Sequence, residues 1–148
     1  MQSVRVLLVA YNPAFSHAVT ELLSYDDRVA EVSAVQTAHA ALGQMQTWQP
    51  DVVLLDLWLP DMNWLEATRR LKARPHAPQV VLMTMDFVNA YRDAAVAVQL
   101  DGVLDKTNFA EEFGAFLSAL LEEGGPNAIK LGKGMSWRKA PATKQSLF

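Results

Sequence analysis

Three residues of different chemistry stand at the ends of apolar runs. Asp56 closes "DVVLLD", Thr84 closes "QVVLMT", and Lys106 follows "LDGVLD". A carboxylate, a hydroxyl and an ammonium brought together can hold or transfer a charged group. Each also has an ordinary reading when taken alone. A strand-end Asp caps turns, Thr is common at strand ends, and a loop Lys is usually solvated. The choice depends on whether one fold carries all three to the same place. Other residues of catalytic type offer less. The chain has no cysteine, which excludes thiol catalysis, thiolate metal sites and disulfides. His17, His39 and His76 share no ligand spacing and read as surface histidines. Met45, Met62, Met83 and Met85 read as packing residues.

The apolar pattern predicts the elements that position these groups. Val4 to Val9 is apolar apart from Arg5, as in a strand covered on both faces. Asn12-Pro13 opens a helix, with Phe15, Ala18, Val19, Leu22 and Leu23 at helical spacing. Val29 to Val35 has strand composition. Thr37 caps a second helix whose inner face is Ala38, Ala41, Leu42, Met45 and Trp48, ended by Pro50. Asp51 to Asp56 is the central strand, "LWLPDMN" a loop, and Leu65, Thr68 and Leu71 mark a third helix. Gln79 to Thr84 is the fourth strand, and Asp86 caps a helix through about Val98. Asp101 to Asp105 is the fifth strand. Asn108 and Glu111 form a capping-box-like pair for a last helix bearing Phe113, Phe116, Leu117, Leu120 and Leu121.

Five alternations of strand and helix predict an α/β fold with a doubly wound, parallel five-stranded sheet. Functional groups gather beyond the carboxyl ends of such strands. Those ends are Ala10-Tyr11, Asp56, Thr84 and Lys106, so four of the five converge on one crevice.

The bulk properties agree. The 148 residues are 51% apolar and 20% charged, which suits one soluble domain with a full core. No apolar run approaches membrane-spanning length, and the amino terminus lacks a signal-peptide pattern. With no cysteine, a cytoplasmic location is expected. The net charge of −3 hides an asymmetry: residues 124–148 carry five cations and no acid, leaving −8 on the remainder. That tail opens with Gly-Gly-Pro and has little periodicity. It reads as a basic linker or weakly ordered extension over 123–148, after a domain over 1–122. Trp137 is the aromatic among the tail's cations, a weak footprint for nucleic acid. No helix-turn-helix follows residue 122.

The pieces "VRVLLVAYNP", "PDVVLLDLWLPDMNWLEA", "QVVLMT" and "LDGVLDKTNFAEE" resemble the CheY-like receiver domains of bacterial response regulators, most closely the branch with NarL/LuxR-type outputs. The resemblance covers residues 4 to about 122 and implies a flavodoxin-like strand order, 2-1-3-4-5. It implies that Asp56 is the phosphoacceptor for a histidine kinase. Thr84 and Lys106 would bind phosphoryl oxygens. In the family, two acids after the first strand hold magnesium beside the aspartate.

Here those two acids are replaced by Ala10 and Tyr11, a degenerate metal site, and Asn12 is a poor carboxylate substitute. No resident metal or cofactor is therefore expected, with Mg2+ held weakly at best. Met85 stands where the family has a small residue, and bulky Trp58 is two positions after Asp56. Both are expected to line the pocket, and Tyr11 to fill the space left by the acids. Trp64 replaces a glycine, and Val103 replaces the strand-five aromatic. Trp58 and Trp64 read either as an exposed anchor for a partner or as packing over the empty metal site and into the core. With the acidic pair gone, Asp56 has Lys106 to balance, and a direct Asp56–Lys106 salt bridge is predicted.

The leading function is a non-enzymatic pseudo-receiver acting through protein contacts. Its surface would be the helix four–strand five–helix five face, with Asp101, Asp105, Glu111, Glu112, Phe113 and Phe116. A homodimer through that face or through helices one and five fits as well, with Gly114 permitting close approach. The second reading is a working phosphoacceptor. A haloacid-dehalogenase-type hydrolase would need a general-acid Asp where Trp58 stands. A flavodoxin would need a phosphate loop that "AYNPAF" does not supply.

Overall fold

A computed structural model describes residues 2–85 and 91–122. The elements alternate: β1 (Val4–Val9), α1 (Pro13–Leu23), β2 (Val29–Val35), α2 (Ala38–Gln44), β3 (Val52–Asp56), α3 (Trp64–Lys72), β4 (Gln79–Thr84), α4 (Arg92–Ala97), β5 (Gly102–Asp105) and α5 (Phe109–Glu122). The sheet is parallel throughout, in the order β2-β1-β3-β4-β5. This is the doubly wound, flavodoxin-like fold that the sequence predicts. Every residue of β3 is buried, which requires cover on both faces and explains the unbroken apolar run. Edge strand β2 is only partly buried.

Local chemistry sets the helix starts. Asn12 Oδ1 accepts the Phe15 backbone N–H at 2.9 Å, with Pro13 at the first helical position. Thr37 and Asn63 cap α2 and α3 in the same way. Asp61 adds a cap from a distant loop: its carboxylate accepts the N–H groups of Ala38 and His39 at 3.0 and 2.9 Å. Its Oδ2 also lies 2.6 Å from His39 Nδ1. Burial pushes the Asp61 carboxyl up, but these hydrogen bonds together outweigh it and hold the group below its usual range. Asp61→Ala is expected to cost about 1 kcal/mol at neutral pH, the usual worth of a cap. Because the folded value is depressed, this contribution is present above the unfolded value near ~3.9 and lost as pH falls through the folded one. Urea titrations at neutral and acid pH should show the gap between wild type and variant closing on acidification.

Several expectations need correction. On α1, Val19 and Leu23 are buried but Ala18 and Leu22 are exposed, so the apolar stripe is wider than the core requires. Helix α2 stops at Gln44, well before Pro50. Trp48 lies beyond it, with Nε1 donating to Glu31 at 3.0 Å and Arg5 over its ring. The Asn108–Glu111 capping box is not how α5 begins. A 3-10 turn over Lys106–Asn108 leads in, the Asp105 carboxylate accepts from Thr107 N–H, and buried Glu112 accepts the Asp105 N–H at 2.8 Å. A Cβ at Gly114 would meet Arg28 Nη2 at 3.8 Å, an ordinary contact distance, so Arg28 does not require glycine there. The expected Asp86 cap and the tail over 123–148 lie outside the described residues.

At the amino ends of the strands a buried ion pair fastens three elements. Lys72 Nζ, at the end of α3, contacts Asp101 Oδ2 at 2.6 Å and Pro78 O at 3.0 Å. The same Asp101 oxygen accepts the Val80 N–H at 2.8 Å. Asp101 is fully buried, so it cannot serve the partner surface expected of it. Glu112, Phe113 and Phe116 are buried too, which leaves Asp105 and Glu111 of that group reachable.

Candidate functional site

The parallel register carries the three residues singled out by type to one end of the sheet. Asp56 ends β3 opposite Met83, Thr84 ends β4 opposite Asp105, and Lys106 follows β5 directly. Asp56 and Thr84 are both buried. The predicted ion pair is present: Lys106 Nζ lies 3.1 Å from Asp56 Oδ1 and 3.2 Å from Oδ2. The Asp56 side chain is 7% exposed and that of Lys106 22%. The ammonium therefore bridges both carboxylate oxygens where water has little access, and such a charge-assisted contact is stronger than a neutral hydrogen bond. The Trp58 backbone N–H also points at Asp56 Oδ1, at 3.4 Å.

One participant was not picked out from the sequence. Phe15, in the first turn of α1, has its ring centroid 4.5 Å from Lys106 Nζ. The ammonium thus sits between a carboxylate and an aromatic face, a cation–π arrangement. An aromatic three residues after a helix cap was read as a core position, and nothing in the local sequence tied it to Lys106.

The large residues near the crevice do not close it. Tyr11 is 56% exposed, Trp58 75% and Met85 68%. Tyr11 does not fill the space of the missing acids, and neither Trp58 nor Met85 roofs the pocket. Their chain neighbours Ala10, Leu57 and Thr84 are buried instead. The two tryptophans have separate fates. Trp64 is buried, edge-to-face with Tyr91 at 5.9 Å, while Trp58 stands out.

The donor set for a divalent cation is poor. Ala10 offers no ligand atom and is buried, and Asn12 Oδ1 is committed to the Phe15 N–H. Asp56 already shares both oxygens with Lys106. Magnesium is ordinarily held by one or two carboxylates together with water and phosphate oxygens. Among the described residues no cluster of three or more His, Asp or Glu could hold a metal ion. The residues present do not fit the metal site that the resemblance implies. No helix among them is long and apolar enough to cross a membrane.

The family model described as "Response regulator receiver domain" matches residues 6–117. The chain belongs to the response regulator receiver family. The matched span contains Asp56, Thr84 and Lys106. Among relatives, the protein-glutamate methylesterase/protein-glutamine glutaminase 2 of Paramagnetospirillum magneticum is 33% identical over 81 residues, covering 55% of this chain and 23% of that protein. The probable transcriptional regulatory protein TcrX of Mycobacterium tuberculosis is 28% identical over 131 residues, covering 88% of this chain and 55% of the relative. The receiver chain thus spans little more than half, or less, of these relatives' lengths. A LuxR-family two-component response regulator from Aurantimonas superposes with a TM-score of 0.73 at 25% identity, covering 82% of this chain and 86% of that one. The receiver domain of the putative response regulator NarL from Mycobacterium tuberculosis gives 0.71 at 25%, covering 84% and 100%. This chain is therefore a receiver domain of bacterial two-component signalling.

Proposed function

We propose that this receiver acts as a pseudo-receiver: a non-enzymatic signalling module that works through protein contacts, with little or no phosphorylation at Asp56. The observation that carries the reading is the direct Asp56–Lys106 pair beside a β1–α1 loop without an acid. A phosphoryl group at Asp56 would bring negative charge to a place where, among the described residues, the cation paired with Asp56 is Lys106, already engaged. Without a metal beside it, that charge is poorly balanced. Thr84 and Lys106 keep the types of phosphoryl-binding groups, and they support the alternative of a working phosphoacceptor fed by a histidine kinase.

In this reading the receiver unit is 1–122 and 123–148 is a connecting segment. The partner surface is the α4–β5–α5 face, presented by Asp105 and Glu111. No resident cofactor is needed, and the module operates in the cytoplasm. Magnesium titration tests the metal half of the proposal. A ligand that binds only the folded state raises its melting temperature. No saturable rise in melting temperature, and no change in Trp58 fluorescence, is expected on adding Mg2+. A saturable rise that disappears in Asp56→Asn would overturn the reading.

A further inference from the structure

Among the described residues, the exposed large apolar side chains fall in two places. One is the crevice mouth. The other is an open groove of about 470 Å3 between the carboxyl end of α1 and α5, lined by Leu22, Tyr25, Asp26, Asp27, Arg28 and Ala110 among others. Leu22 is 40% exposed and Tyr25 79%. The exposed acids Glu21 and Asp27 flank them. Arg28 adds little positive charge to the groove, because its guanidinium is engaged by Asp26 at 3.0 Å and by Ser118 at 3.0 Å. The groove therefore asks for an occupant that is both apolar and basic.

Such a segment belongs to the same chain. Within residues 129–139, Ile129, Leu131, Met135 and Trp137 are interleaved with Lys130, Lys133, Arg138 and Lys139. Its point of departure is close. Ser118, which touches the groove through Arg28, precedes the end of α5 at Glu122 by one helical turn, about 6 Å. The stretch from 123 to 129 spans roughly 20 Å when extended, enough to turn back to α1. Tethering supplies a high effective concentration, so modest contacts suffice.

We propose that segment 129–139 docks intramolecularly in the α1–α5 groove, with its apolar side chains on Leu22 and Tyr25 and its cations facing Glu21 and Asp27.

The absence of cysteine permits a clean test in the full chain. Ser136→Cys carries a nitroxide label, and amide signals are compared with the label oxidised and reduced. Selective loss of the Leu22, Tyr25, Asp27 and Ala110 signals is expected, recovering at high salt or in a Glu21→Lys/Asp27→Lys variant. Loss centred on Tyr11, Trp58 and Met85, or no localised loss, overturns the proposal. Mixing labelled chains with isotope-enriched unlabelled ones separates a second copy: loss at the groove in the mixture places a neighbour's segment there and overturns intramolecular docking.

Discussion

Lys72→Met is expected to destabilise the domain by about 3–5 kcal/mol, the cost of stranding a buried carboxylate. Asp101 is fully buried, and Lys72 Nζ lies 2.6 Å from its Oδ2. The Lys72 side chain is itself only 12% exposed. The methionine replaces the aliphatic length of the lysine, so packing is nearly conserved and the loss reports the charge. A fall in the urea midpoint with unchanged slope would express it. The double variant Lys72→Met/Asp101→Leu should lose less than Lys72→Met alone, since it leaves no buried carboxylate without Lys72, although the Val80 N–H loses its acceptor and the Pro78 carbonyl its donor. Equal losses in the two would mean that the pair matters through packing.

Lys106→Met is expected to cost about 2 kcal/mol, below the range for a fully buried pair because Lys106 is partly exposed. The asymmetry within the pair is the sharper expectation. The Asp56 side chain is 7% exposed against 22% for Lys106. After Lys106→Met the carboxylate has little water to turn to. After Asp56→Asn the ammonium keeps the Phe15 face and can reach solvent. Asp56→Asn should therefore cost less than about 1 kcal/mol, near the net worth of one hydrogen bond. A site crowded with carboxylates would respond in the opposite way, gaining stability when one acid is neutralised. Parallel urea titrations of the two variants decide between these.

Much of this was legible in the sequence because interior parallel strands are unbroken apolar runs. Asp56, Thr84 and Lys106 were found because each stands at the carboxyl end of such a run, and a parallel sheet aligns those ends. What escaped depends on contacts between residues distant in the chain. The Asp61 cap on α2 spans more than twenty residues. The Phe15 ring meets Lys106 across the sheet end, and Glu112 reaches back seven residues to Asp105. Apolar type alone also misassigned Leu22, which was given to the core while the structure leaves it 40% exposed, and it could not say which of the two readings of Trp58, exposed anchor or packing residue, the fold would take. Acidic and aromatic residues of α5 were given to a partner surface, yet Phe113 and Phe116 are core. A helix with a wide apolar stripe does not announce which edge of it the sheet covers.

The most direct test of the lost switch is intact mass after incubation with acetyl phosphate and Mg2+, with Asp56→Asn alongside. Under donor conditions that fully label an ordinary receiver, the expected spectrum shows the unmodified mass alone. A phosphate-sized gain in the wild-type chain that vanishes in Asp56→Asn would contradict this, and Asp56 would then be a working acceptor despite its pairing with Lys106.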